Sequence, residues 1–172
     1  IFRPRAEFIK ERFSLNSPQV VGDIGAGFGI FLEELAKLWP SVRLMAIEPS
    51  VEMAEICQKK GLEVIPSTLE EVEGFDGKFD LLCSFELFEH LYDPGKFLEK
   101  VWNLLRPGGY FFLSTLNGAG FDLQILWEKS KSIAPPQHLN FFNPDSISLL
   151  LKSKGFEVEK VSTPGKLDWN IV

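Results

Sequence analysis

The chain has 172 residues and a formal net charge of −6, with 45% hydrophobic and 24% charged residues. This length is sufficient for one domain with a full core, and the composition is typical of a globular protein. Because phosphate binding needs concentrated Lys and Arg, the acidic balance argues against a nucleic-acid partner.

Helical and strand-like segments alternate along the chain, with limits set by apolar periodicity, capping residues and glycine or proline breaks. In chain order we predict a helix at 5–13, a strand at 19–23, a helix at 30–39, a strand at 42–47, a helix at 50–60, strands at 62–65 and 79–84, a helix at 94–105, a strand at 110–115, a helix at 121–129, an irregular loop at 133–142, a helix at 144–155 and a strand at 156–162. A break is predicted at 14–18.

This order predicts an α/β fold, in which a Rossmann-like, doubly wound and mostly parallel sheet is flanked by helices in three αβα layers. Such sheets bind ligands at the carboxyl ends of their strands, near the point where strand order reverses. We expect one domain over 1–172 that is truncated at one or both ends. The chain starts at Ile1 rather than Met, and 163–172 runs on without an obvious stop.

The segment after the first strand has the pattern D-x-G-x-G-x-G, from Asp23 to Gly29. Glycines there let a ligand approach the backbone closely. A dinucleotide fingerprint has its third glycine three positions after the second, and counting from Gly27 this position holds Ile30. The sequence therefore lacks the pyrophosphate-binding fingerprint, whereas a carboxylate at the strand end suits a ligand with an ammonium group.

A second carboxylate, Glu48, closes the second predicted strand, 23 residues after Gly25. A carboxylate at this place can accept hydrogen bonds from both hydroxyls of a ribose. It can equally be a solvated residue at a helix start, where the helix dipole favours a negative charge. Beside the glycine loop, the ribose role is favoured.

Together with later motifs, these features resemble the class I S-adenosylmethionine-dependent methyltransferases, in the branch of ubiquinone-biosynthesis and small-molecule enzymes. The resemblance covers about residues 18–163, and the order and spacing of its motifs are more specific than any single motif. The later motifs are the fourth strand at 79–84, the E-H-L-x-D-P run at 89–94, the L-x-P-G-G turn within 104–109, and the segment 138–144 followed by Gly155 and Phe156.

The resemblance implies S-adenosylmethionine as cofactor and assigns contacts by position. Asp23 would contact the methionine amino group, and Glu48 would hold the ribose hydroxyls with Pro49 beside the adenine. Where the family often has an acidic residue for the adenine amino group, this chain offers the hydroxyl of Thr68 or the backbone of Leu69. The remaining implied contacts, to the methionine and ribose parts, come from Gly25, Ala26, Gly27, Ser84 and Phe85.

Methyl transfer is a direct displacement, so the protein mainly aligns the reacting groups. A general base is needed only for an acceptor that stays protonated at neutral pH, such as a hydroxyl or an ammonium group. His138, in the proline-bearing loop, is the candidate base, and a simple anchoring role for it is equally open. His90 can tie its loop to the core at least as readily as it can act in catalysis. Aromatic residues within 121–127 and 141–142 could form an acceptor pocket or ordinary core.

Two other classes of function stay open: a NAD-dependent oxidoreductase, disfavoured by Ile30, and a non-catalytic cofactor-binding module of a larger protein. Radical chemistry is excluded, because Cys57 and Cys83 cannot hold an iron–sulfur cluster. We expect both cysteines to be small core residues, and we expect no metal site.

A small-molecule acceptor, sugar-, lipid- or quinone-like, is expected. No apolar run is long enough to span a membrane, and we expect a cytoplasmic protein.

Overall fold

The structure, a computed structural model, describes residues 2–13 and 18–164. Its helices are α1 (Phe2–Arg12), α2 (Ile30–Leu38), α3 (Val51–Lys59), α4 (Pro94–Leu104), α5 (Phe121–Leu126) and α6 (Pro144–Ser153). Its strands are β1 (Val20–Ile24), β2 (Arg43–Ile47), β3 (Glu63–Ile65), β4 (Phe79–Phe85) and β5 (Leu105–Ser114). Single 3₁₀ turns lie at Leu69–Glu71, Phe88–His90 and Trp127–Lys129.

The strands form one sheet in the order β3-β2-β1-β4-β5. β1 pairs in parallel with β2 and with β4, and β2 pairs in parallel with β3. From β1 the chain adds β2 and then β3 on one side of the sheet, and β4 and β5 follow on the other side of β1. This reversal is the switch point of a doubly wound sheet, and the predicted α/β fold is confirmed.

Internal contacts divide the chain into two units, one made of residues up to 85 with 100–113, the other of 86–99 with 114 onward. The first contains α1 to α3 and β1 to β4, and the second contains α5 and α6. The single domain expected over 1–172 stays a prediction, and its limits fall outside the described residues.

The core of the first unit lies between α2 and the sheet. Phe31, Leu32 and Leu35 share one face of α2 and are buried against Val21 and Leu81 of the central strands. This spacing follows the helical period, which is why the sequence predicts the helix. Each of these large side chains contributes about 1.5 to 3 kcal/mol by leaving water. The resulting packing fixes α2, and with it the loop that precedes α2.

Asp80 ties the first residues of three strands together. Its Oδ2 accepts the N–H groups of Gln19 and Val20 at 2.9 and 2.8 Å, and Arg106 donates to its Oδ1. Burial on its own raises the pKa of Asp80, but the two N–H groups and the guanidinium together hold that pKa below its usual value. Asp80 is therefore a structural carboxylate at the amino end of β1, opposite the edge where ligands bind.

Capping residues begin the helices where the sequence predicts. The Ser50 side chain accepts the N–H of Met53 at the start of α3, and Asp93 accepts that of Lys96 at the start of α4. At the start of α6, Asn143 accepts the N–H of Ser146 at 2.8 Å. Each cap satisfies an N–H group that has no partner inside its helix.

Three predicted elements differ in the structure. The strand predicted at 156–162 is wrong: these residues have no ladder partner in the described ranges, and alternation of apolar and polar residues cannot supply one. The helix predicted at 121–129 ends at Leu126, because Trp127 takes a left-handed φ of 44° and a 3₁₀ turn follows. β5 begins at Leu105 rather than at residue 110, so the L-x-P-G-G turn predicted within 104–109 lies mostly within the strand. The break predicted at 14–18 falls largely outside the described residues.

Candidate functional site

The loop after β1 lies at the carboxyl edge of the sheet, where strand order reverses. Asp23 on β1 is in register with Ala46 on β2 and with Cys83 on β4. The N–H of Gly25 donates to the carbonyl of Ile47 at 2.9 Å, which ties the loop to the end of β2. The structure therefore brings the ends of β1, β2 and β4 together beside the predicted glycine loop.

Three alternating glycines give this loop its shape. Gly25, Gly27 and Gly29 have φ angles of 71°, 56° and 70°, a region that side chains disfavour. The N–H of Gly29 donates to the carbonyl of Ala26 at 2.9 Å and closes the turn. A Cβ added to Gly27 would meet nothing within 4 Å, whereas one added to Gly29 would lie 2.6 Å from Leu62 Cδ1. Gly27 thus leaves open space for a ligand, and Gly29 is required for packing.

Glu48 connects the end of β2 to the glycine loop. Its Oε2 accepts the N–H of Gly27 at 2.7 Å, and its Oε1 accepts the N–H of Ser50 at 2.9 Å. The residue is only 5% exposed, while Pro49 after it is exposed. Each carboxylate oxygen still has a lone pair beyond its backbone donor. Glu48 is therefore preorganised by the loop and retains capacity to accept hydrogen bonds from a ligand.

Asp23 is the most unusual charged group of the site. It is 3% exposed, and in the described part of the chain no hydrogen-bond donor reaches its carboxylate. Burial, and then the negative charge of Glu48, raise the pKa of Asp23 well above its usual value. A buried carboxylate without a partner is costly, and a cationic ligand group would relieve that cost.

The end of β4 contributes a hydroxyl and an aromatic ring. Ser84 is buried, and its Oγ has no partner among the described residues. The ring of Phe85 packs against that of Phe31 at a centroid distance of 4.6 Å. The guanidinium of Arg5, on α1, lies 4.9 Å from the centre of the Phe85 ring. Sequence reasoning did not select Arg5, because the apolar periodicity of α1 does not reveal which polar residue faces the sheet.

The predicted adenine contacts lie in the turn after β3. The hydroxyl of Thr68 donates to Oε2 of Glu71 at 3.2 Å, and the same oxygen accepts the N–H of Thr68 at 3.3 Å, which caps this 3₁₀ turn. Leu69 is buried. The neighbouring hydroxyl of Ser67 is buried without a partner in the described ranges. Ser67 is a candidate that the sequence missed, since only structure distinguishes an engaged hydroxyl from an unpaired one.

In the second unit, His138 is oriented by a backbone carbonyl. Its Nδ1 lies 2.7 Å from the carbonyl oxygen of Ser132. A carbonyl only accepts, so we assign the proton to Nδ1, and Nε2 keeps its lone pair. The hydroxyls of Ser130 and Ser132 both donate to Oδ2 of Asp122 at 2.7 Å. These bonds outweigh burial, which by itself raises the pKa of Asp122, and hold that pKa below its usual value.

The loop that carries His138 is also anchored to the 3₁₀ turn Phe88–His90. The carbonyl of Glu89 accepts the N–H groups of Leu139 and Asn140 at 2.8 and 3.0 Å. Nδ1 of His90 lies 2.9 Å from the carbonyl oxygen of Gln137, and the two histidine rings are 4.8 Å apart. His90 thus ties the loop down, which was the anchoring role left open from the sequence.

In the described part of the chain, no group of three or more His, Cys, Asp or Glu residues could hold a metal ion. None of the helices in the ranges 2–13 and 18–164 has the length and apolar character that crossing a bilayer requires. Both cysteines are buried.

A glycine loop at the switch point of a doubly wound sheet is where Rossmann-like proteins hold nucleotide-derived cofactors, and this protein is of that class. The comparison with known families narrows this class to one family. Residues 2–161 match the family model described as a methyltransferase domain, and the chain belongs to that family. It is an S-adenosylmethionine-dependent methyltransferase, as the sequence motifs predicted.

Similar proteins agree with this assignment. A ubiquinone biosynthesis O-methyltransferase of Xanthomonas euvesicatoria pv. vesicatoria is 29% identical over 171 residues, covering 92% of this chain and 70% of the relative. The same enzyme of Xylella fastidiosa is also 29% identical, with 92% and 68% covered. A solved S-adenosylmethionine-dependent methyltransferase of Thermotoga maritima, described as a possible histamine N-methyltransferase, has a TM-score of 0.68 and 27% identity, covering 91% of this chain and 72% of that one.

The residues at the switch point fit S-adenosylmethionine chemically. The carboxylate of Asp23, which no donor of the described residues reaches, is suited to an ammonium group, and the open space at Gly27 admits a ligand against the backbone. A pyrophosphate is disfavoured at this loop, since Ile30 stands where a dinucleotide loop needs its last glycine. The oxidoreductase alternative is therefore not favoured.

Proposed function

We propose that this methyltransferase binds S-adenosylmethionine at the loop after β1 and methylates the oxygen of a small-molecule hydroxyl group. The observation that carries the first part is the buried carboxylate of Asp23, which has no donor in the described chain beside a loop of left-handed glycines. The acceptor class is supported by the relatives, which are O-methyltransferases of ubiquinone biosynthesis. The predicted cytoplasmic location stays a prediction.

In this proposal Asp23 accepts the methionine ammonium group and Glu48 accepts the ribose hydroxyls. Pro49 packs beside the adenine, and the backbone of Leu69 with the hydroxyl of Thr68 or Ser67 meets its amino group. The unpaired state of the Ser67 hydroxyl favours it over Thr68, which already donates to Glu71. The parts of the cofactor between these ends lie against Gly25, Ala26, Gly27, Ser84 and Phe85.

Arg5 adds a positive charge at the end of β4. Its guanidinium lies over the ring of Phe85, a residue predicted to meet the methionine part. A methionine end carries a carboxylate as well as an ammonium group, and a guanidinium is the preferred partner of a carboxylate. We therefore assign the carboxylate to Arg5 and the ammonium group to Asp23.

When bound, the sulfonium supplies an electrophilic methyl group and leaves as a neutral sulfide. The protein has little bond-making chemistry to perform, and alignment can contribute about 7 to 11 kcal/mol to lowering the barrier. A hydroxyl acceptor is protonated near neutral pH and must lose its proton as the new bond forms. His138 is suited to this step, because its Nδ1 is held by the Ser132 carbonyl and its Nε2 keeps a lone pair.

The test compares catechol, as a hydroxyl acceptor, with histamine, as an amine acceptor, using radiolabelled S-adenosylmethionine. We expect transfer to catechol, and a fall in kcat of about 100-fold or more in His138→Gln with an unchanged KM for the cofactor. Leu139→Ala, an exposed neighbour in the same loop, is the matched control and should keep full turnover. Full turnover on catechol by His138→Gln would remove the base role.

Amine methylation is the second candidate, because the Thermotoga relative is described as a possible histamine N-methyltransferase. A neutral amine attacks with its own lone pair and needs no base in the transition state. Transfer to histamine alone, at a rate insensitive to His138→Gln, would replace the oxygen acceptor by nitrogen and leave the proposed cofactor site intact.

A further inference from the structure

Two side chains, one on α3 and one on the residue that follows it, hold backbone carbonyls of the glycine loop. The thiol of Cys57 donates to the carbonyl of Gly27 at 3.2 Å, and Nζ of Lys60 donates to the carbonyl of Phe28 at 2.9 Å. Lys60 also pairs with Glu33 on α2 at 2.7 Å. Residues three apart lie on the same face of a helix. The C-terminal end of α3 and its capping residue Lys60 therefore hold two consecutive peptide groups of the loop.

These contacts determine where the loop directs its N–H groups. A trans peptide is planar, so its N–H points away from its C=O. With the Gly27 carbonyl turned to Cys57, the N–H of Phe28 points away from α3, and no acceptor reaches it in the described part of the chain. On its other side, Gly27 donates its own N–H to Glu48 at 2.7 Å. The carbonyl contacts thus support the geometry of the ligand-facing side.

Cys57 is suited to its place by size and by protonation. It is fully buried, and a Cβ on Gly29 would lie only 3.0 Å from its Sγ, so the thiol packs closely against the glycine loop. Burial raises the pKa of the Cys57 thiol, and the thiol therefore keeps the proton that it donates.

We propose that Cys57 and Lys60 are positioning residues for the cofactor, acting through the carbonyls of Gly27 and Phe28. They fix the loop in the conformation that Glu48 and the cofactor require. The inference rests on the proposed cofactor site at this loop and extends that site to α3, whose residues the sequence motifs do not include. Affinity for S-adenosylmethionine then depends on residues that belong to none of those motifs.

The experiment titrates S-adenosylhomocysteine by calorimetry into Cys57→Ala and Lys60→Met, and measures KM for the cofactor and kcat for each. Losing one hydrogen bond should weaken binding about threefold to tenfold in each variant, with kcat at saturating cofactor unchanged. Cys57→Ser and Lys60→Arg keep a donor and should restore most of the affinity. Lys59→Met is the matched control, because Lys59 is exposed and pairs only with Glu55 among the described residues.

Glu33→Gln separates the two contacts of Lys60. It removes the ion pair on α2 and leaves the Phe28 carbonyl in reach, so it should weaken binding less than Lys60→Met. Lys60 is partly exposed, and Lys60→Met decides the matter even if the Cys57 variants do not fold.

Wild-type affinity in both Lys60→Met and Cys57→Ala overturns the inference, as does a fall in kcat without a change in cofactor KM. The proposed cofactor site is tested separately by Asp23→Asn. If that variant loses affinity while the α3 variants keep it, only the inference about α3 fails. If Asp23→Asn also binds normally, the cofactor site itself has been misplaced.

Discussion

Replacing Asp23 by Asn should stabilise the cofactor-free protein and weaken its cofactor binding. Asp23 is 3% exposed, its carboxylate has no donor in the described chain, and its pKa is raised well above the usual value, first by burial and then by Glu48. Asn has nearly the same shape and cannot ionise. The variant therefore removes the charge and leaves the packing of β1 almost unchanged.

The sign of the pH dependence follows from the direction of the pKa shift of Asp23. Below about pH 3.9, the ordinary Asp pKa, the carboxyl is protonated in both the folded and the unfolded chain, and it makes no contribution. At higher pH the unfolded chain loses its proton first, so the free energy of unfolding falls by up to about 1.4 kcal/mol per pH unit. The fall ends at the raised pKa of the folded state. Asp23→Asn should lack this fall.

The assay is urea unfolding of the cofactor-free wild type and Asp23→Asn from about pH 4 to about pH 8. The advantage of the variant in unfolding free energy should grow with pH. Calorimetry with S-adenosylhomocysteine should show the opposite order, since losing a hydrogen bond to a charged group costs about 1.5 to 3 kcal/mol, or about 10-fold to 150-fold in Kd. Equal pH slopes would refute the burial argument, and equal affinities would refute the ammonium contact.

Three further variants test the surrounding geometry. Glu48→Gln removes the charge that helps to raise the pKa of Asp23, so the fall in unfolding free energy should end at a lower pH than in the wild type. The Kd for S-adenosylhomocysteine should rise about tenfold or more. Gly29→Ala should lower the unfolding free energy by about 1 to 3 kcal/mol, and by more than Gly27→Ala, because both have left-handed backbones but only Gly29 lacks room. Gly27→Ala should instead mainly reduce cofactor affinity. Asp80→Ala should cost about 1.5 to 3 kcal/mol near neutral pH, measured by urea unfolding. Since the folded-state pKa of Asp80 is lowered, that contribution is lost in the wild type as pH falls below about 3.9, and the two proteins should converge in acid.

The sheet could be predicted because its determinants are local. Ser50 and Asn143 cap their helices as the sequence indicates. The alternation of strands and helices predicts a doubly wound sheet. Segments whose state depends on a distant partner could not be predicted. Residues 156–162 alternate between apolar and polar as a strand does, but they pair with no strand among the described residues. The left-handed backbone of Trp127 is not indicated by the apolar residues around it.

The candidate site divides in the same way. Asp23 and Glu48 could be selected because a glycine loop marks their position in the chain. Cys57, Lys60 and Arg5 could not, because each matters through a residue far away in sequence. Thr68 shows the reverse case: its position in the chain suggested an adenine contact, but its hydroxyl already donates to Glu71.

The proposed cofactor site at Asp23 and Glu48 also affects how turnover is controlled. The ammonium group and the ribose hydroxyls remain on S-adenosylhomocysteine after the methyl group has left, so these contacts stabilise substrate and product alike. Binding of this uniform kind lowers KM without raising kcat. It also makes the product a competitor of similar affinity. An enzyme with this site is governed by the ratio of S-adenosylmethionine to S-adenosylhomocysteine around it, and its throughput depends on removal of the product.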